Sequence, residues 1–141
     1  MTVEATADAL AGLAMEGARL EVALDQVEGG FAANGAETVE LRVATNPGMP
    51  ISPLRDAASG GELSRIMLAL SGLAGGGSRA TRVFDEIDAG VGGATARAVG
   101  ERLRELAADG QVICITHLPQ VASQARAHFR ITKRVEGKAT V

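Results

Sequence analysis

Aromatic residues are scarce in this 141-residue chain, which has three Phe and neither Tyr nor Trp. So few rings leave little scope for stacking nucleic-acid bases, and the core has to be aliphatic. Cys114 is the single cysteine, which rules out an internal disulfide and fits a reducing compartment. Lysine occurs only as Lys133 and Lys138. A glycine-rich loop ending in Lys-Ser/Thr, the usual cradle for nucleotide phosphates, is therefore missing. Gly72 and Gly77 have the spacing of such a loop, but Ser78-Arg79 follows them, so the stretch reads as a turn. No apolar run reaches the roughly 18 residues of a membrane helix. No Lys or Arg precedes Arg19, so the charged start of a signal peptide is lacking. A net charge of −3 supplies no global field for nucleic acid. These absences predict a cytoplasmic protein, or a piece of one, with no membrane association.

What is present is a 46% hydrophobic chain with 18 glycines, enough for one domain with a real core and many tight turns. Residues 2–15 place Val3, Ala7, Leu10 and Ala14 at helical spacing. The period then changes to two: Leu20, Val22 and Leu24, then Val39, Leu41 and Val43, predict two half-buried strands paired antiparallel across the Gly29–Gly35 loop. Asn46–Pro53 holds three of the four prolines and reads as a stiff loop. From Leu63, Met67, Leu70 and Ala74 we expect the buried face of a helix. Thr81–Phe84 predicts a strand, 94–108 a helix with Val99, Leu103 and Leu106 inward, and Gln111–Thr116 a fully buried parallel strand. That strand–helix–strand unit calls for a right-handed crossover. Pro119 suits the start of a short helix to about Ala127, and a further strand is expected over His128–Val135, with Phe129 and Ile131 on one face. Val141 falls within another apparent strand, which leads us to expect a fragment.

Two stretches carry chemistry. Ala58-Ser59-Gly60-Gly61-Glu62 fits a capping box, with Ser59 at the N-cap and Glu62 reaching back. Capping alone does not account for two glycines in a first turn, each costing up to about 1 kcal/mol against Ala. A group approaching the backbone N–H donors closely would account for them, and phosphate at a helix N-terminus is the natural guest. A plain N-cap remains the other reading. The second stretch is Arg82-Val83-Phe84-Asp85-Glu86-Ile87-Asp88, a β-prone run that delivers adjacent carboxylates. They suit Mg²⁺ on one and an attacking water on the other, or else a solvated acidic turn. Parallel sheets place ligands at the carboxyl ends of their strands. Asp85 and Glu86 end one strand and His117 the next, so the three are expected together, which favours the functional reading.

These strings resemble known motifs. Ser59-Gly60-Gly61-Glu62 is similar to the signature sequence of ABC-type ATPases, Val83–Glu86 to their Walker B strand, Asp88 to their D-loop and Thr116-His117 to their switch histidine. The longer strings over 58–70, 83–93 and 115–122 resemble the RecN family, SMC-like ATPases of bacterial double-strand-break repair. That resemblance implies an α/β fold: the C-terminal lobe of an ABC/P-loop ATPase head, with a partly parallel sheet and flanking helices behind an antiparallel strand pair. Residues 1–18 would then be the end of a coiled-coil helix and 19–141 the lobe. The resemblance also implies ATP and Mg²⁺. Asp85 would hold the metal, Glu86 would be the general base and His117 would sense the γ-phosphate. Ser59, Gly60 and Gly61, beside Glu62, would contact ATP held by an opposing head, and Asp88 would bridge the two heads. The implied partners are an N-terminal Walker A lobe, a second copy through ATP-bound heads, and DNA through the whole protein, at a cytoplasmic, nucleoid-associated location. Arg82 departs from the family, which usually has an apolar residue there. The alternatives are a membrane-transporter ATPase lobe, disfavoured by Glu62 and by Ile87-Asp88-Ala89-Gly90, and a non-catalytic dimerisation module.

Overall fold

A computed structural model describes residues 3–74, 80–132, 135–136 and 139–140. Helix α1 (Val3–Ala11) leads into β1 (Arg19–Gln26) and β2 (Glu37–Ala44), which pair antiparallel with Leu20 opposite Val43, Val22 opposite Leu41 and Leu24 opposite Val39. The alternation correctly gave this antiparallel pairing. It overstated the burial, because the apolar face reaches the core only at its Leu20–Val43 end. Val22, Leu24 and Val39 stay exposed.

The proline-rich segment is more ordered than expected. Ser52–Pro53 forms a short strand, β3, opposite Val43 and Arg42, and a helical turn, α2 (Leu54–Ala57), follows directly. Proline is tolerated there because β3 is an edge strand. Gly17 has φ +76, and a Cβ on it would fall 2.6 Å from Pro47 Cγ. That contact seats the loop against the turn after α1.

Helix α3 (Gly60–Leu73), β4 (Thr81–Phe84), α4 (Gly93–Leu106) and β5 (Gln111–Cys114) form the second half, followed by α5 (Pro119–Ala122). Strands β4 and β5 pair parallel, Phe84 beside Cys114. Leu10, Leu13, Val43, Ile66, Leu68, Ile87 and Val99 are fully buried in one core, each contributing about 1.5–3 kcal/mol of transfer free energy. Val99, Leu103 and Leu106 point inward from α4 as expected, and Arg97 meets Glu101 at 3.0 Å on its outer side.

Several expectations are corrected. Helix α3 buries Gly61, Arg65, Ile66, Leu68 and Ala69, while Met67 is exposed. This helix is apolar on several sides, so periodicity does not choose its inner face; packing does. Strand β5 is not fully buried, because Ile113 and Ile115 are about half exposed, as is Val83 on β4. One sheet face packs on the helices, and the other, with Val83 and Ile113 side by side, is open. Arg82 lies half-buried on the covered face, where its Nη1 is buried without a hydrogen-bond partner. Residues 128–132 form no strand, and Phe129 and Ile131 are almost fully exposed. Beyond them, β6 (Val135–Glu136) and β7 (Ala139–Thr140) pair antiparallel. Both lysines and most of the glycine-rich link lie outside the described residues.

Candidate functional site

Ser59 takes the extended N-cap conformation (φ −68, ψ 164), and the expected capping box is complete. Glu62 Oε2 accepts from the Ser59 backbone N–H and hydroxyl, each at 2.9 Å, while Ser59 Oγ receives the Glu62 N–H at 3.4 Å. The Ser59 N–H bond leads the causes that hold the Glu62 carboxyl below the usual carboxylate range. Every member of this box is a local neighbour in sequence, so the motif was readable without the fold.

The two glycines also leave room for a neighbour within the chain. A Cβ on Gly61 would stand 2.8 Å from Ala89 Cβ and 3.0 Å from the Glu86 carbonyl oxygen; a Cβ on Gly60 would stand 2.5 Å from Glu86 Oε2. What approaches the helix start closely is the turn after β4 of the same chain. Two residues that the sequence reading missed weld that turn to α3. Ser64 donates its hydroxyl to the Asp85 carbonyl at 2.7 Å, and Arg65 donates Nη1 to the carbonyls of Ala89 (2.9 Å) and Ile87 (3.4 Å). Arg65 is buried and its Nε has no hydrogen-bond partner; burial pulls its guanidinium pKa below the ordinary value, against the pull of Glu62. The available signal was an arginine four residues after Gly61, which is one helical turn.

Within the turn, Glu86 has φ +55, left-handed backbone that is uncommon for a glutamate. Such conformations cost about 1–3 kcal/mol and cluster at functional sites. Asp85 and Glu86 are both exposed. The Glu86 N–H donates to Asp85 Oδ1 at 2.9 Å. No group of three or more His, Cys, Asp or Glu among the described residues could cage a metal. One exposed carboxylate instead fits Mg²⁺ as nucleotide sites use it, with few protein ligands beside waters and phosphates.

The ends of β4 and β5 lie side by side. The Ile115 N–H donates to the Phe84 carbonyl at 2.9 Å, which carries the parallel pairing to the rim. His117 meets the acidic turn through Asp88. Asp88 Oδ2 accepts the Thr116 hydroxyl at 2.5 Å and the His117 N–H at 3.0 Å, and lies 3.2 Å from His117 Nδ1. Asp88 is only 4% exposed, and its carboxylate is engaged inside this lobe by Thr116 and His117. Burial pushes its pKa up, but the bonds from Thr116 and His117 outweigh that and hold it below the ordinary value. Cys114 behind it is pushed up to about 11, by burial first and then by Asp88 and Asp85, so its thiol stays protonated. His128, read as structural, has Nε2 2.8 Å from the Ala122 carbonyl.

No family model matches this chain. In sequence it is 54% identical over 101 residues to DNA repair protein RecN of Xylella fastidiosa, covering 71% of this chain and 18% of that protein. It is 44% identical over 142 aligned positions to RecN of Halalkalibacterium halodurans, covering 97% of this chain and 25% of that protein. The chain thus spans about a fifth to a quarter of the RecN proteins it matches, and the match falls in their C-terminal part. Among solved structures, a Smc head domain with coiled coil and joint from Pyrococcus yayanosii aligns with TM-score 0.59 at 23% identity, covering 88% of this chain and 23% of that one. A second, described under ATP-driven dimerization and DNA-stimulated activation of SMC ATPases, aligns with TM-score 0.50 at 18% identity, covering 99% and 80%. At those identities the structures bear on the fold alone: the chain has the α/β fold found in part of SMC head domains. Among the described residues no helix is long and apolar enough to cross a membrane.

Proposed function

We propose that this chain, similar to the C-terminal part of RecN, is the C-terminal lobe of a split ATPase head acting in DNA double-strand-break repair. The observation that carries this reading is the convergence of the signature turn, the acidic turn and the switch histidine at one rim, beside an uncovered apolar sheet face. Parallel sheets are normally covered on both faces. Val83, Ile113 and Ile115, continuous with an open groove along Leu63 and Met67, are the surface on which a Walker A lobe would pack. Residues 1–18 would enter as the end of a coiled-coil helix.

In the assembled head, ATP is the substrate and Mg²⁺ supplies charge neutralisation at its phosphates. Asp85 is the carboxylate that would hold the ion, and Glu86 takes the proton of the attacking water. His117 contacts the γ-phosphate. Ser59, Gly60 and Gly61 present hydroxyl and backbone N–H donors to the nucleotide of a second copy, for which Ser59 turns its hydroxyl from Glu62 to phosphate. Positioning and charge stabilisation dominate such phosphoryl transfer. The lobe by itself is inactive, and DNA is engaged by the whole protein.

The test joins this chain to its Walker A lobe and measures ATP turnover. Glu86→Gln should lower turnover by about 10²–10⁴-fold, the usual worth of a general base, and should accumulate ATP-bound dimers. Retained turnover would remove Glu86 from the role. Ser59→Arg should block those dimers while leaving the fold intact.

A further inference from the structure

We propose that Asp88 is the positioning residue of His117, acting within one lobe to fix where the imidazole stands. The inference rests on the ATPase reading only for what His117 then does. Its geometry is independent of that reading.

Four contacts define the device. Asp88 Oδ2 takes the Thr116 hydroxyl (2.5 Å) and the His117 N–H (3.0 Å), and stands 3.2 Å from His117 Nδ1. Thr116 Oγ in turn receives the Leu118 N–H at 3.1 Å. One buried oxygen thereby ties three consecutive residues after β5 to the turn after β4. The turn is itself held: Ala89 N–H returns to the Glu86 carbonyl (2.9 Å), Val91 N–H to the Asp88 carbonyl (3.3 Å), and Arg65 grips Ile87 and Ala89 from α3. The carboxylate is therefore a fixed post.

The imidazole is placed differently from its anchor. The His117 side chain is 77% exposed and the Asp88 side chain 4%. Nδ1 faces the carboxylate, so Nε2 is on the side of the ring away from it. Without the post, an exposed imidazole would sample all its rotamers. With it, one nitrogen stands beside the carboxylate and the other is on the side turned away from it. A backbone tie alone could be made by a neutral acceptor. Burying a charge there is costly unless the charge does something the neutral group cannot. Holding a ring that carries positive charge when protonated is such a task.

The test uses the full-length protein containing this segment, with Asp88→Asn, Thr116→Val and Thr116→Ser. Labelling by diethyl pyrocarbonate is followed at His117 and His128 by peptide mass mapping, His128 being the internal control. We expect His117 in Asp88→Asn to react about two- to five-fold faster, the factor that a partly exposed charge contact supports. His128 should keep its rate. Thr116→Val should loosen His117 in the same direction, and Thr116→Ser, which keeps the hydroxyl, should restore it. If Asp88→Asn does not fold, the Thr116 pair carries the test. Unchanged His117 labelling in the folded variants would overturn the proposal. Equal acceleration of both histidines would also overturn it, showing general loosening. In turnover, kcat should fall with KM for ATP held. If the protein joined to its Walker A lobe hydrolyses no ATP while Asp88→Asn accelerates His117 labelling, the ATPase assignment fails and the positioning stands. The reverse pattern sinks the positioning alone.

Discussion

Gly61→Ala should destabilise this fold, against the usual direction for a helix. An alanine within a helix normally gains up to about 1 kcal/mol over glycine. Here the added methyl would stand 2.8 Å from Ala89 Cβ, 3.0 Å from the Glu86 oxygen and 3.3 Å from the Ala89 oxygen. Ordinary carbon contacts lie near 3.5–4.0 Å, and two of the three atoms are backbone. The turn cannot retreat freely, because Ser64 and Arg65 hold its carbonyls from the same helix. Overpacking of this kind costs about 1–3 kcal/mol. After the helix gain is subtracted, a net loss of up to about 2 kcal/mol remains. Thermal unfolding should show the midpoint falling by several degrees, roughly 3–5 °C per kcal/mol at this size. Gly12→Ala is the control, since its nearest neighbours lie 3.8 and 3.9 Å away; it should be neutral or stabilising by up to about 1 kcal/mol. If Gly61→Ala behaves like Gly12→Ala, the close packing of turn on helix is refuted.

Acid denaturation should depend on Asp88. Its folded pKa is lowered, so its contribution is present above the unfolded carboxylate value of about 3.9 and is lost as pH falls through the lower folded value. Asp88→Asn should therefore flatten the acid limb of a stability–pH curve below about pH 4; an unchanged limb would contradict the assignment. Gly100→Ala should loosen α5 from α4, because its Cβ would meet the Gln120 oxygen at 3.1 Å and Val121 Cα at 3.2 Å. Amide hydrogen exchange over 119–122 should accelerate, at a cost of about 1–3 kcal/mol in urea unfolding. Protection equal to wild type would show that α5 has room to move.

Local chemistry was legible from the residues alone. The capping box needs only Ser59 and Glu62 three residues apart, so it follows from local spacing. Alternation on either side of a glycine-rich loop pointed to the antiparallel pairing of β1 with β2. The Asp85–Asp88 string and Thr116-His117 were found as motifs, and the parallel pairing of β4 with β5 brought them to one rim as expected.

Which neighbour each group serves was decided only by tertiary structure. Gly60 and Gly61 read as openings for a ligand; the fold adds that they also give clearance to Glu86 and Ala89. Only the fold shows that Asp88 is buried against Thr116 and His117, 28 and 29 residues away. Arg65 gave little warning, because only packing turns that side of α3 inward. The open sheet face was misread as buried for the same reason. An apolar run announces that a surface wants covering, and only the assembled chain tells whether its own residues cover it. Sequence determined the local hydrogen bonds and the periodic faces, since those depend on spacing along the chain. The fold determined burial, clearance and the carboxylate's partner, since those depend on what long-range packing brings alongside.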